Sequence, residues 1–129
     1  MLNNKGQSLI LFVMFLPIML LILILIIDIG KIVVLKHELN NIADIVLNYG
    51  LDNIEDENVI DNMNSLLVAN KNDIDKFNIS IDNDRIYIDI SENVDGMFSN
   101  FIDISIYRVN VSYVGYIENN KKIIEEKGD

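Results

Sequence analysis

Leu9 to Ile27 is a run of 19 residues without one charged or hydrogen-bonding side chain, and it constrains this chain more than any other feature. At about 1.5 Å of rise per helical residue the run spans roughly 30 Å, the hydrocarbon thickness of a bilayer. Each Leu, Ile, Phe or Val near the centre of such a helix favours insertion by about 0.3–0.6 kcal/mol, so the sum outweighs the one proline, Pro17. A cleavable secretory signal has a shorter apolar core and small residues at its cut. Here the run is followed by Asp28-Ile29-Gly30-Lys31. Residues 8–27 therefore read as a retained transmembrane helix.

The three-and-four rhythm does not stop at Asp28. Ile32, Leu35, Leu39, Ile42, Val46 and Tyr49 continue it for three heptads, a seam for spine packing. Ile29, Val33, Val34, Ile45 and Leu47 widen the apolar face, which suits packing against a sheet or several helices. Gly50 sits where helices commonly end. One helix of about 42 residues, some 60 Å long, is the expectation: a membrane span over 8–27 and a helical spine over 28–50.

Residues 51–129 read as an exposed α+β domain. An acidic connector over 51–58 leads to an amphipathic helix over 57–70, burying Val59, Ile60, Met63, Leu66 and Leu67. The period then changes to two. Phe77, Ile79 and Ile81 alternate with polar residues, as do Ile86, Ile88 and Ile90, and Asp82-Asn83-Asp84-Arg85 between them is hairpin chemistry. A connector over 92–100 precedes a last strand over 102–117, whose alternation changes phase between Ile106 and Tyr107, predicting a bulge or bend. The charged tail over 118–129 is expected to fray. The fold class is α+β: a long N-terminal transmembrane and amphipathic helix packed on a small antiparallel sheet.

From Asp28 onward the chain carries 9 Lys+Arg and 20 Asp+Glu, a net charge of 9 − 20 = −11. That balance argues against a nucleic-acid partner, which needs basic patches. With no cysteine the exposed domain must hold itself by its core or its neighbours.

Four segments of the first fifty residues resemble the TadE/TadG-like minor pilins (pseudopilins) of the tight-adherence, or Flp, pilus. Lys5-Gly6-Gln7-Ser8 is similar to the family's basic-Gly-Gln start, and Leu16-Pro17 to a Leu-Pro within the apolar run. Ile27-Asp28-Ile29-Gly30-Lys31 resembles the apolar-Asp-apolar-Gly-basic junction, and Leu39-Asn40-Asn41-Ile42-Ala43-Asp44 a Leu-Gln-Asn-Ala-Ala-Asp segment. The resemblance implies a leader over 1–7, cut by prepilin peptidase between Gly6 and Gln7. It implies partners among other pilin-like subunits and the pilus assembly machinery. It also implies a cytoplasmic N-terminus and an extracellular C-terminal domain, which the lysines at 5, 31 and 36 do not decide. Many pilins carry a glutamate five residues after the cut; Leu11 stands there, which tilts the likeness toward the TadG-like branch and away from a filament shaft.

Chemistry is sparse. His37 is the single histidine, and a lone His without cysteines is far more often a surface or packing residue than a ligand. Asp73/Asp75 and Asp82/Asp84 lack the glycine and late glutamate of a calcium loop, so no metal or cofactor is expected. No nucleophile-and-base pair or phosphate loop is legible, and an enzyme is the least expected class. Asp28 either marks the water interface or pairs with a basic group of a neighbouring copy, such as its Lys31, and sets assembly register together with Leu11 and Pro17. The functional expectation is a membrane-anchored pilus component acting in assembly or adhesion after leader cleavage. Its rival is an uncleaved single-pass protein with an extracellular adhesin or partner-binding domain.

Overall fold

The structure, a computed structural model, describes residues 4–98 and 107–127, the side chain of Asn4 excepted. Helix α1 runs without a break over Asn4–Asp52, 49 residues and roughly 70 Å. It passes through Pro17, which withholds one backbone bond to the carbonyl four residues back; flanking apolar residues keep the helix going. The helix starts before the expected Ser8, so residues 4–7 belong to its first turns. It also runs past Gly50. That glycine is no cap, since no described glycine has a positive φ. A Cβ there would stand 2.5 Å from the Met63 sulfur and 2.8 Å from Ile86 Cδ1, so Gly50 is where helix, helix and sheet meet most closely. Leu51, assigned above to a connector, is a buried helical residue.

Helix α2, Val59–Asn70, buries Val59, Met63 and Leu67 at a spacing of four, while Ile60 and Leu66 flank the core half-buried. Four strands follow: β1 (Lys76–Asp82), β2 (Arg85–Asn93), β3 (Arg108–Glu118) and β4 (Lys121–Glu126). They form an antiparallel sheet in the order β1-β2-β3-β4. The β1–β2 loop is Asn83-Asp84, with φ of 52° and 62°. Positive φ at both central residues is the type I′ geometry that matches strand twist. The chain repeats the device at Asn119-Asn120, with φ of 52° and 63°. The tail expected to fray is thus an edge strand, β4, paired with β3 from Tyr113↔Glu126 to Glu118↔Lys121. Its register and that of β2–β3 run without a bulge. Ile102 to Ile106, the first part of the expected strand and the side of its phase change, lie outside the described residues.

Ile86, Ile88 and Ile90 of β2, with Val109 and Val111 of β3, turn one sheet face onto α1 and α2. Each fully buried side chain of this size contributes roughly 2 kcal/mol. The other face is polar: Ser112 donates to Asp89 at 2.5 Å, and Arg85 lies 4.5 Å over the Tyr116 ring. Strand β3 lies along α1. Tyr107, just before it, faces Asp28; the Tyr113 hydroxyl donates to Asn40 Oδ1 at 2.8 Å; a Cβ on Gly115 would stand 3.2 Å from Leu51. The head therefore flanks the helix from Asp28 to its end, and the whole is an α+β fold of the pilin-like kind.

Candidate functional site: the anchor–head joint

Asp28 follows directly on the apolar run, yet its side chain is fully buried. The cover comes from the segment between β2 and β3. The backbone N–H of Met97 donates to one carboxylate oxygen at 2.7 Å, and that of Phe98 to the other at 2.8 Å. The Tyr107 hydroxyl adds a side-chain hydrogen bond. A buried carboxylate is tolerated when hydrogen bonds replace its water, and three donors do so here. Burial, then the Asp28 charge, push the Tyr107 hydroxyl above its ordinary value, so it stays a protonated donor at neutral pH. Gly96 makes the approach possible: a Cβ there would overlap the Tyr107 ring and stand 2.9 Å from an Asp28 oxygen. The carboxylate that the sequence offers to water or to a neighbouring copy is engaged within its own chain. Lys31 lies exposed, its ammonium 3.5 Å from the Asp95 carbonyl oxygen on the rim of the joint.

A second polar fastening holds the spine half of α1. The Lys71 ammonium, nearly buried, lies 3.1 Å from Asp73, 3.5 Å from Glu92 and 3.8 Å from Glu38 of α1. Desolvation lowers an ammonium's proton affinity, but the Asp73 hydrogen bond and three acids override it and hold Lys71 above its ordinary value. The Lys71 hydrogen bond holds Asp73 below its own. Burial pushes Glu92 up despite Lys71, with Asp73 and Asp75 adding to the rise. Glu92 Oε2 has no hydrogen-bond partner. The cluster joins helix, loop and strand, and its net negative charge leaves one acid strained.

Of the residues singled out above, Gly6 and Gln7 lie exposed in the first turns of α1, and Leu11 and Pro17 are exposed further along it. Leu39, Ile42 and Val46 are buried; Ile32, Leu35 and Tyr49 pack half-buried on the same core. Leu47 joins them, whereas Ile29, Val33, Val34 and Ile45 of the wide apolar face stay exposed. His37 is exposed. Asp75 accepts from the Asn93 N–H at 2.7 Å, a structural bond between loop and strand. The sequence reading gives no site role to Gly96, Tyr107, Lys71 or Glu92, because each acts through partners that spacing does not reveal.

Residues 6–44 match the model of a family described as putative Flp pilus-assembly TadE/G-like. The N-terminal module is TadE/G-like. The TadE/G-like match runs from Gly6 through Asp28 to Asp44, so it takes in the apolar run, the buried carboxylate and the start of the core-facing helix. It covers just under a third of the chain, and α2 and the sheet lie beyond it. No curated protein and no solved structure matches the chain. With the module come involvement in Flp pilus assembly, association with the pilus machinery, and membrane anchoring through the apolar part of α1.

Proposed function

We propose that this chain is a minor pilin, or pseudopilin, of the Flp pilus, cut by prepilin peptidase after Gly6 and acting in pilus assembly or adhesion. In this reading residues 1–7 are the leader segment, of which 1–6 are removed by the cut, 8–27 the membrane span, 28–50 the spine and 51–129 the exposed head, with the N-terminus cytoplasmic and the head extracellular. The observation that carries it is the division of labour along α1. From Leu9 to Ile27 every side chain but the half-buried Ile24 is exposed, while Leu39 to Leu51 form the spine of the head, in one unbroken helix. Such a rod can trade lipid contacts for helix contacts at little cost, because lipid tails and Leu side chains are equally apolar. Leu11 in place of a docking glutamate supports a tip, base or assembly-factor position over the shaft. The partners are then prepilin peptidase, other pilin-like subunits and the assembly machinery.

One observation favours the rival reading, an uncleaved tethered adhesin. The Gly6–Gln7 bond lies inside α1, whose first turns must unwind before a peptidase can reach it. N-terminal determination on protein from cells with and without the peptidase separates the two. Cleavage predicts Gln7 as first residue in the wild type and the longer form in the mutant. An uncut leader in assembled pili overturns the proposal.

A further inference from the structure

The joint fixes the height of a second apolar element beside the anchor. The Met97 N–H bonds Asp28, the residue directly after the apolar run, so the Met97 backbone stands level with the end of that run. Met97 is 47 % exposed, and Phe98 beside it is half-buried. The anchor's own apolar surface does not end there: Ile29, Val33 and Val34, all exposed, carry it one to two turns further toward the head. Met97 therefore points outward at a level where the helix still presents apolar side chains to its surroundings. Strand β3 leads away from this level along α1, and Ile117, exposed near its end, lies beyond the Leu51 level.

We propose that the Met97–Phe98 segment, a turn of helix, is a lipid contact: a second foot of the head, set into the interfacial layer of the bilayer, with Asp28 as the residue that positions it. The partner is the lipid surface, where apolar side chains such as Met enter the boundary between headgroups and acyl chains. The continuous apolar surface from the span through Val34 favours lipid over a separate protein partner. Gly96 and Tyr107 shape the turn so that both N–H groups reach the carboxylate, leaving the Met97 side chain free to face outward. The inference rests on membrane anchoring by α1 and is independent of leader cleavage or entry into a filament.

The chain contains neither tryptophan nor cysteine, so single reporters are unambiguous. Full-length Met97→Trp, Leu20→Trp and Ile117→Trp proteins are reconstituted in phosphatidylcholine vesicles carrying lipids spin-labelled near the carbonyl region, which read positions 97 and 117, or at mid-chain, which read position 20. Lipid quenching several-fold stronger at 97 than at 117, with a blue-shifted emission, is expected. Adding Asp28→Ala to Met97→Trp should abolish that excess while far-UV circular dichroism keeps the head's strand signal. Quenching at 97 equal to that at 117, with position 20 strongly quenched, overturns the lipid contact and leaves the anchor intact. An unquenched position 20 overturns both. Met97→Cys, tested with a water-soluble maleimide, gives a check that needs no bulky substituent: labelling as fast as at Ile117→Cys sinks the inference.

Discussion

The two ends of α1 both present leucines and isoleucines, and those side chains meet opposite surroundings. Leu20, in the middle of the apolar run, is 53 % exposed, whereas Leu47 is fully buried. Nothing in the backbone marks the change, because the helix is unbroken between them. What changes is the solvent: the first half is built for hydrocarbon, which covers every side, and the second for a sheet, which covers one. The glycines make the same point. Around Gly30 a Cβ would meet nothing within 4 Å, while at Gly50 it would strike Met63 and Ile86. Apolar residues carry the helix through both environments, and the polar ones, Asp28 and Glu38, mark where the head takes hold.

Two pairs of substitutions would break or sharpen that contrast. The largest effect is expected from Leu47→Ala, which opens a cavity in the core and should destabilise the head by about 3 kcal/mol. Leu20→Ala should shift the same unfolding by less than about 0.5 kcal/mol. Urea titration of the full chain in detergent micelles reads both, and equal losses would mean that the two halves are not separately solvated. Next come the glycines. Gly50→Ala should cost about 2 kcal/mol by overpacking. Gly30→Ala, by contrast, should be neutral or stabilising, by up to about 1 kcal/mol of helix propensity. Thermal unfolding in the same micelles compares them, and a stabilised Gly50→Ala protein would show the helix–sheet contact to be loose.

The smallest effect concerns the Lys71 cluster. Because burial raises the folded-state pKa of Glu92 above its ordinary 4.5, the stability linked to its proton is present below that value and lost as pH rises through the folded pKa. Glu92→Gln keeps the side chain neutral, and Lys71 retains Asp73 and Glu38. The variant should therefore gain up to about 1 kcal/mol over the wild type at pH 7, and little at pH 4. Denaturation curves across that range check the sign; a variant weaker at pH 7 would make the Glu92–Lys71 pair a net stabiliser.

Much of this architecture is legible in the residues because it rests on local periodicity. The apolar run, the rhythm through Val46 and the alternation of β1 and β2 each depend only on neighbours in sequence. The turn at Asn83-Asp84 is legible for the same reason. Its twin at Asn119-Asn120 is not, because β4 is an edge strand. Lys121-Lys122-Ile123-Ile124-Glu125-Glu126 has little to bury, so it lacks alternation, and its charges guard an open edge. The site is the harder part. Asp28 stands out as an acid beside an apolar run, but two of its three donors are backbone groups 69 and 70 residues away, which no side-chain pattern announces. Gly50 reads as a stop signal until the side chains of Met63 and Ile86 are seen against it.

A helix that passes from lipid into a core without a flexible linker has no slack. Tension applied to the head of this chain is not absorbed by a stretching linker. It must either strip Leu39, Val46 and Leu47 out of the sheet or drag the apolar rod through the bilayer. The molecule is thus mechanically stiff along its length, and a force at its outer tip is felt directly at the membrane.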